Sequence, residues 1–145
     1  MLNSKQIGNL TEMECMLAFM RHGFNVLTPY GDCERYDFVA DVNGILIKVQ
    51  VKTSRPSRGA EGAIVFNTSS QTTSNGKMVH HSYDDTQIDY FMTFYEGIAY
   101  LIPVNECSTR EKTLRFLPPK NGQIKGITFA KDYEFEKVVN KIINQ

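Results

Sequence analysis

The sequence predicts an α/β sandwich, in which a mixed sheet is flanked by a leading helix and a closing helix. Three observations lead there. Leu10, Met13, Leu17 and Met20 recur at helical spacing near the start. Residues 36–53, YDFVADVNGILIKVQVKT, alternate between apolar and polar on either side of Asn43-Gly44. Val138, Val139 and Ile142 form an apolar side near the end. The first helix is expected from about Lys5 to His22, with its apolar stripe in the core and Gly23 ending it. A strand is expected at Phe24 to Leu27, then the hairpin, then a strand at Ala63 to Asn67. Tyr90 to Tyr95 and Ile98 to Ile102 read as two strands joined around Gly97, and Leu114 to Leu117 as an edge strand before Pro118-Pro119. The closing helix is expected over Asp132 to Ile143. No repeat is visible, and 145 residues form one domain, long enough for a real core.

The hairpin carries the chemistry. Asn-Gly between alternating runs is a strong signal for a type I′ turn, because both residues accept the positive φ it needs. With only those two residues in the turn, Val42 faces Ile45 and Asp37 falls opposite Gln50. Opposed side chains lie about 4.5–5.5 Å apart at Cβ, and Lys52 is one diagonal step away. Ile45, Ile47, Val49 and Val51 take the core face, while Lys48, Gln50 and Lys52 take the other. On alternation alone, Gln50 and Lys52 are the solvated side of an ordinary half-buried strand. The carboxylate, amide and ammonium gathered on one patch point instead to a site. Asp41, opposite Leu46, reads as a residue flanking the turn, and Asp32 and Glu34 as loop residues.

Asp37, twelve intervening residues, Gln50, one apolar residue and Lys52 together resemble the PD-(D/E)XK nuclease core. The fuller run is similar to the group I intron-encoded homing endonucleases of that superfamily. It consists of Gly8 with Glu12, Pro29 with Gly31-Asp32, Tyr36-Asp37, and Val49 through Thr53. The similarity is specific over roughly the first third of the chain and continues as a shared layout of strands and a closing helix. Tyr36 stands where the motif has proline, and Gln50 where it usually has an acid. An amide offers an oxygen to a metal but no charge, which leaves the number of metals open.

The resemblance implies a Mg²⁺-dependent DNA endonuclease with Glu12, Asp37, Gln50 and Lys52 as its catalytic set. Phosphodiester hydrolysis needs a nucleophile at neutral pH and a counter-charge for the transition state, and a hard divalent cation supplies both. Mg²⁺ takes oxygen ligands and keeps several waters. Asp37 would be the central ligand, joined by Glu12 and the Val51 carbonyl. Lys52 would orient the attacking water and stabilise developing charge. Glu14 is the rival to Glu12; the two lie about 200° apart around a helix, and the spacing from Gly8 favours Glu12.

The remaining composition sets limits. Sixteen basic and sixteen acidic residues give zero formal net charge, so DNA binding through bulk charge is excluded and local basic patches are required. Cys15, Cys33 and Cys107 are odd in number and unpatterned, which argues against a disulfide framework or zinc knuckle and fits a reducing cytosol, where a DNA-handling protein would be nucleoid-associated. No apolar stretch suggests a membrane span. From about 54 to 83 the chain turns polar. This stretch reads either as a surface loop or as a strand-and-loop reader in a DNA groove. In the second reading Arg55, Arg58 and Lys77 meet phosphates, and Asn67, Gln71, Asn75, His80 and His81 lie near the DNA. The histidine pair lacks further ligands at metal spacing. Cutting both strands with so small a chain implies a homo-oligomer, a dimer or a dimer of dimers, on double-stranded DNA. A Holliday junction resolvase and a non-catalytic DNA-binding module on the same fold are the alternatives.

Overall fold

The computed structural model describes residues 1–145. Helix α1 (Ser4–Arg21) is followed by β1 (Asn25–Leu27), β2 (Phe38–Val42), β3 (Ile45–Val51), β4 (Arg55–Pro56) and β5 (Ala63–Asn67). Then come β6 (Ser69–Ser74), β7 (Lys77–Ser82), β8 (Tyr90–Tyr95), β9 (Ile98–Pro103), β10 (Glu111–Arg115) and α2 (Phe135–Ile143). Asn3 caps α1 reciprocally with Gln6, and Gly23 closes the helix at φ 82°.

The main sheet has the order β1-β2-β3-β8-β9. Only the β3–β8 pair is parallel; the other pairs are antiparallel. The β2–β3 turn uses Asn43 and Gly44, both at positive φ, and the Asp41 carboxylate accepts from the Gly44 N–H at 2.7 Å. The counted register holds from Val42↔Ile45 to Phe38↔Val49. One face of this sheet meets both helices. Phe19 stands at that junction, edge-on to Phe38 at 5.8 Å and to Phe135 at 4.8 Å. The other face, under β8 and β9, is covered by a second sheet of order β10-β5-β4, and Ile64, Phe66, Phe91, Ile102 and Leu114 form a second core there.

Several expectations change. The stripe Leu10, Met13, Leu17 and Met20 does not face the core: Leu10, Met13 and Met20 are 52%, 55% and 57% exposed, and α1 buries Thr11, Cys15 and Phe19 instead. Apolar residues occur on both sides of this helix, so spacing alone could not choose the face. Thr11 is admitted to the core because its hydroxyl donates to the Ile7 carbonyl at 2.9 Å. Ile45, beside the turn, is exposed. The last strand runs over Glu111–Arg115, not 114–117, and pairs with β5. The closing helix is divided into a 3₁₀ turn at Ala130–Tyr133 and α2. The segment 54–83 is not polar throughout, since Ala63, Ile64, Val65 and Phe66 of β5 are buried.

Replacing Phe19 with Ala should cost about 3–5 kcal/mol, because a fully buried ring leaves a cavity shared by three elements. Urea unfolding checks this: the midpoint should fall with little change in slope.

Candidate active site

The second sheet covers β8 and β9 but stops at β3. Gln50 and Phe91 are register neighbours on one face, with Phe91 under the second sheet and Gln50 half-buried at its margin. The site lies at this boundary, where the β2–β3 hairpin ends.

Asp37 is one residue beyond the paired ladder. Its N–H donates to the Val49 carbonyl at 2.8 Å, and its carboxylate Oδ2 accepts from the Val51 N–H at 2.7 Å. A side-chain oxygen thus stands where a strand carbonyl would be. Counting placed Asp37 against Gln50; the bond reaches one residue further, to Val51. In an extended strand the N–H and C=O of one residue point to the same side, so the Val51 carbonyl also faces Asp37. The Gln50 amide Nε2 lies 3.5 Å from that carbonyl oxygen.

The electrostatics show what else converges. Burial pushes the Asp37 carboxyl above its usual range, opposed by the Val51 N–H and the Lys52 charge. Burial also raises Glu12, and the Asp37 charge raises it further. Of the two α1 carboxylates, Glu12 is the one raised by the Asp37 charge, which makes it the candidate at this site. Glu14 lies on another side of the helix, lining a hollow with His22, Phe94 and Phe135. Glu12, Asp37, Gln50, Val51 and Lys52 are brought together. Two half-buried carboxylates and a strand carbonyl make an all-oxygen donor set with excess negative charge, which fits a hard divalent cation and not a thiolate-loving one.

Lys52 extends from the end of β3. Its Nζ donates to the Ser69 carbonyl at 3.3 Å and lies 5.0 Å from the centroid of the Tyr83 ring. Lys48, on the same strand face, is tied away: its Nζ donates to the Thr86 carbonyl at 2.9 Å, and its N–H to Asp89 Oδ2 at 2.8 Å.

The polar stretch resolves into two regions. β6 and β7 pair with each other and with no other strand, forming a two-stranded ribbon around the Asn75-Gly76 turn. Gln71, Asn75, Lys77, His80 and His81 lie on it. Its histidines contact hydroxyls: His80 lies 3.4 Å from Ser69 Oγ and His81 2.8 Å from Thr72 Oγ1. Asn67 is not on the ribbon. It ends β5 and accepts from Arg55 at 3.2 Å, and Arg55 also pairs with Glu111 at 3.2 Å. Arg58 is exposed in the following loop. Sequence reasoning missed Arg35 and Tyr83. The Arg35 guanidinium stacks on Tyr83 at 3.9 Å and reaches the root of the ribbon, whose residues lie 35 to 47 positions away. No local spacing signals such a contact.

The half-buried carboxylate at the end of a hairpin, with a lysine two residues past the strand position it faces, is the arrangement of a nuclease type of centre. A family model described as PD-(D/E)XK endonuclease matches residues 2–136, and the chain belongs to this family. Among solved structures it is similar to a bacterial homing endonuclease, I-Ssp6803I, with a TM-score of 0.78 and 26% identity over 99% of this chain and 98% of that one. No curated protein matches the chain.

Lys52→Ala should lower endonuclease activity by about 10²-fold or more, as expected on losing one preorganised charge at the reacting phosphate. Lys48→Ala should leave it nearly unchanged, because that ammonium is bound at Thr86. Single-turnover cleavage by the two variants and by Asp37→Asn, which should be inactive yet folded, checks the assignment. Equal losses at the two lysines would reduce the site to a phosphate-binding strand.

Proposed function

We propose that the protein is a sequence-specific double-stranded DNA endonuclease that uses Mg²⁺, acts as a homo-oligomer and serves intron homing. The observation that supports this is the meeting of Glu12, Asp37, the Val51 carbonyl and Lys52 at the open margin of the sheet, in a chain of the PD-(D/E)XK endonuclease family. Similarity to a homing endonuclease over nearly the full length supports the homing role.

Asp37, Glu12 and the Val51 carbonyl would hold the metal. When bound, the cation supplies an activated water and polarises the scissile phosphate. The chain's own residues do the remainder. The Val51 N–H fixes one Asp37 oxygen, so that the carboxylate would be oriented to hold the cation. Lys52, as an ammonium, orients the attacking water and stabilises charge growing on the phosphate oxygens. Gln50, beside the Val51 carbonyl, contributes an amide that neither adds nor removes charge.

The β6–β7 ribbon is the DNA reader in this reading. A two-stranded ribbon fits the major groove, which is about 12 Å wide. Gln71, Asn75 and His80 would lie near base edges, with His81 beside them, while Lys77 and Arg58 meet phosphates. Arg55 and Asn67, already bound to each other, act as a brace beside the reader. Such a protein would work in the cytoplasm, on the nucleoid.

A second copy is needed to place one site on each strand. The surface that supports it is the outer stripe of α1. Leu10, Met13, Leu17 and Met20 follow the three-four-three spacing of a helix-pairing seam and lie opposite the buried Cys15 and Phe19. Three of the four are more than half exposed, which a lone soluble helix seldom tolerates.

The decisive test is cleavage of linear duplex and of four-way junctions, with and without Mg²⁺. Mg²⁺-dependent cutting of duplex at a defined sequence is expected. Preference for junctions would favour a resolvase, and no cutting of any DNA would leave a binding module. Arg58→Ala should reduce the salt slope of DNA affinity by about one unit, and Arg55→Ala by less, because Glu111 already neutralises Arg55. Met13→Glu with Leu17→Glu should lower the mass seen in sedimentation to that of one chain. Unchanged mass would place the interface elsewhere.

A further inference from the structure

The amine of Lys52 is held by the ribbon, not by the sheet that carries its backbone. Ser69 opens β6, Ser82 closes β7, and the two are register partners at the ribbon's root. Lys52 Nζ donates to the Ser69 carbonyl at 3.3 Å, and it lies over the ring of Tyr83, the residue directly after Ser82. The same ring carries the Arg35 guanidinium at 3.9 Å and stands edge-on to the buried Phe91 at 5.2 Å. Arg35 then spans the next rung. Its Nη2 donates to Ser70 Oγ at 3.4 Å and to the His81 carbonyl at 3.3 Å, while Nη1 reaches the Ser82 carbonyl at 3.4 Å and Gln87 Oε1 at 3.5 Å. Ser70 and His81 are themselves register partners. One guanidinium therefore clips both strands together and stacks on the ring that Lys52 also uses.

Resting on the nuclease reading above, we infer that Tyr83 and Arg35 are positioning residues that transmit the seating of the ribbon to Lys52, so that the element reading the DNA also sets the catalytic ammonium. A two-stranded ribbon has no core of its own and is marginally stable alone, so its root moves with its tip unless it is tied down. The tie is Arg35, and the ring beneath it is shared with the lysine. A ribbon drawn into a groove shifts the Ser69 carbonyl and the Tyr83 ring together, and both are Lys52's contacts. A misplacement of about 1 Å at a reacting group is enough to cost about 10²-fold in rate. A planar fork is required, because an ammonium cannot stack on the ring while bridging both strands.

The experiment compares wild type, Tyr83→Phe, Tyr83→Leu and Arg35→Lys on a duplex recovered by wild-type cleavage of a random-sequence library. Single-turnover rates are measured at saturating protein with Mg²⁺, and dissociation constants in EDTA. Tyr83→Leu and Arg35→Lys should cut about 10–100-fold more slowly, with affinity changed by no more than about threefold. Tyr83→Phe should keep the rate, since the ring and not the hydroxyl makes both contacts. In a Lys52→Ala background, Tyr83→Leu should cause no further loss, because its effect passes through that lysine. Undiminished cutting by Tyr83→Leu, a further loss in the Lys52→Ala background, or a loss confined to affinity would each overturn the inference while leaving the nuclease reading in place. A wild type that cuts no DNA in the library would overturn both. Tyr83→Phe keeps the test open if Tyr83→Leu fails to fold: a slow but folded Tyr83→Phe counts against the ring as the shared contact.

Discussion

The bond between Asp37 Oδ2 and the Val51 N–H is the interaction on which the site depends. Val51 lies beyond the last paired residue of β2, so its N–H would otherwise lack a strand partner on that side. An unmet donor of this kind costs about 1–3 kcal/mol when buried. Supplying the acceptor from a side chain solves a backbone problem and also fixes a carboxylate in one orientation, with the Val51 carbonyl beside it and Lys52 one residue on. The other edge of β3 repeats the device. Asp89 Oδ2 accepts from the Lys48 N–H at 2.8 Å, and the Asp89 N–H donates back to the Lys48 carbonyl at 2.9 Å, just before the parallel β3–β8 pairing begins. The central strand is spliced on both sides by aspartates. Asp37 differs in standing near Glu12 and Lys52, the other candidate site residues.

The second sheet gives the margin its character. If it covered all five strands of the main sheet, Asp37 and Lys52 would be sealed. Asp37 at this margin and Glu12 on α1 are both half-buried, and both carboxyls are pushed upward, chiefly by burial. Such a site is unfavourable for two anions together and favourable for an added cation. The repulsion between the two carboxylates would be relieved by such a cation.

The local part of this design could be read from the sequence. Asn43-Gly44, the strict alternation around it and the count from Asp37 to Lys52 all act within one hairpin, where the turn sets the register and the pleat sets the faces. The contribution of α1 was half readable. Its existence followed from spacing, but its buried face did not, because Thr11 and Cys15 lie inward while Leu10 and Met13 lie outward. Hydrophobic periodicity assumes that a helix has one apolar side. A helix with a core face and a second exposed apolar face breaks that assumption, and the stronger stripe was the outer one. Arg35 and Tyr83 could not be found at all, since they are joined through tertiary contacts without a residue pattern. The ribbon was seen as polar sequence, and its strands were not, because neither has a buried side to produce alternation.

That missing alternation bears on how the ribbon works. A strand pair with hydroxyls, amides and imidazoles on both faces gains little from burial in the free protein, so it is held chiefly by its own ladder and by Arg35 at the root. The chain carries no net charge, and the ribbon's one lysine, Lys77, sits near the tip. Long-range attraction to a polyanion is therefore weak, and contacts along the ribbon must come from directional hydrogen bonds made at short range. Bonds of that kind form only when the partner matches in position as well as in charge. On the proposed reading, a weakly charged, sparsely anchored ribbon would favour selectivity over raw affinity. The Arg35 clip passes over the ring that Lys52 also contacts, so on the proposed reading an imperfect seat would be felt where the chemistry is done.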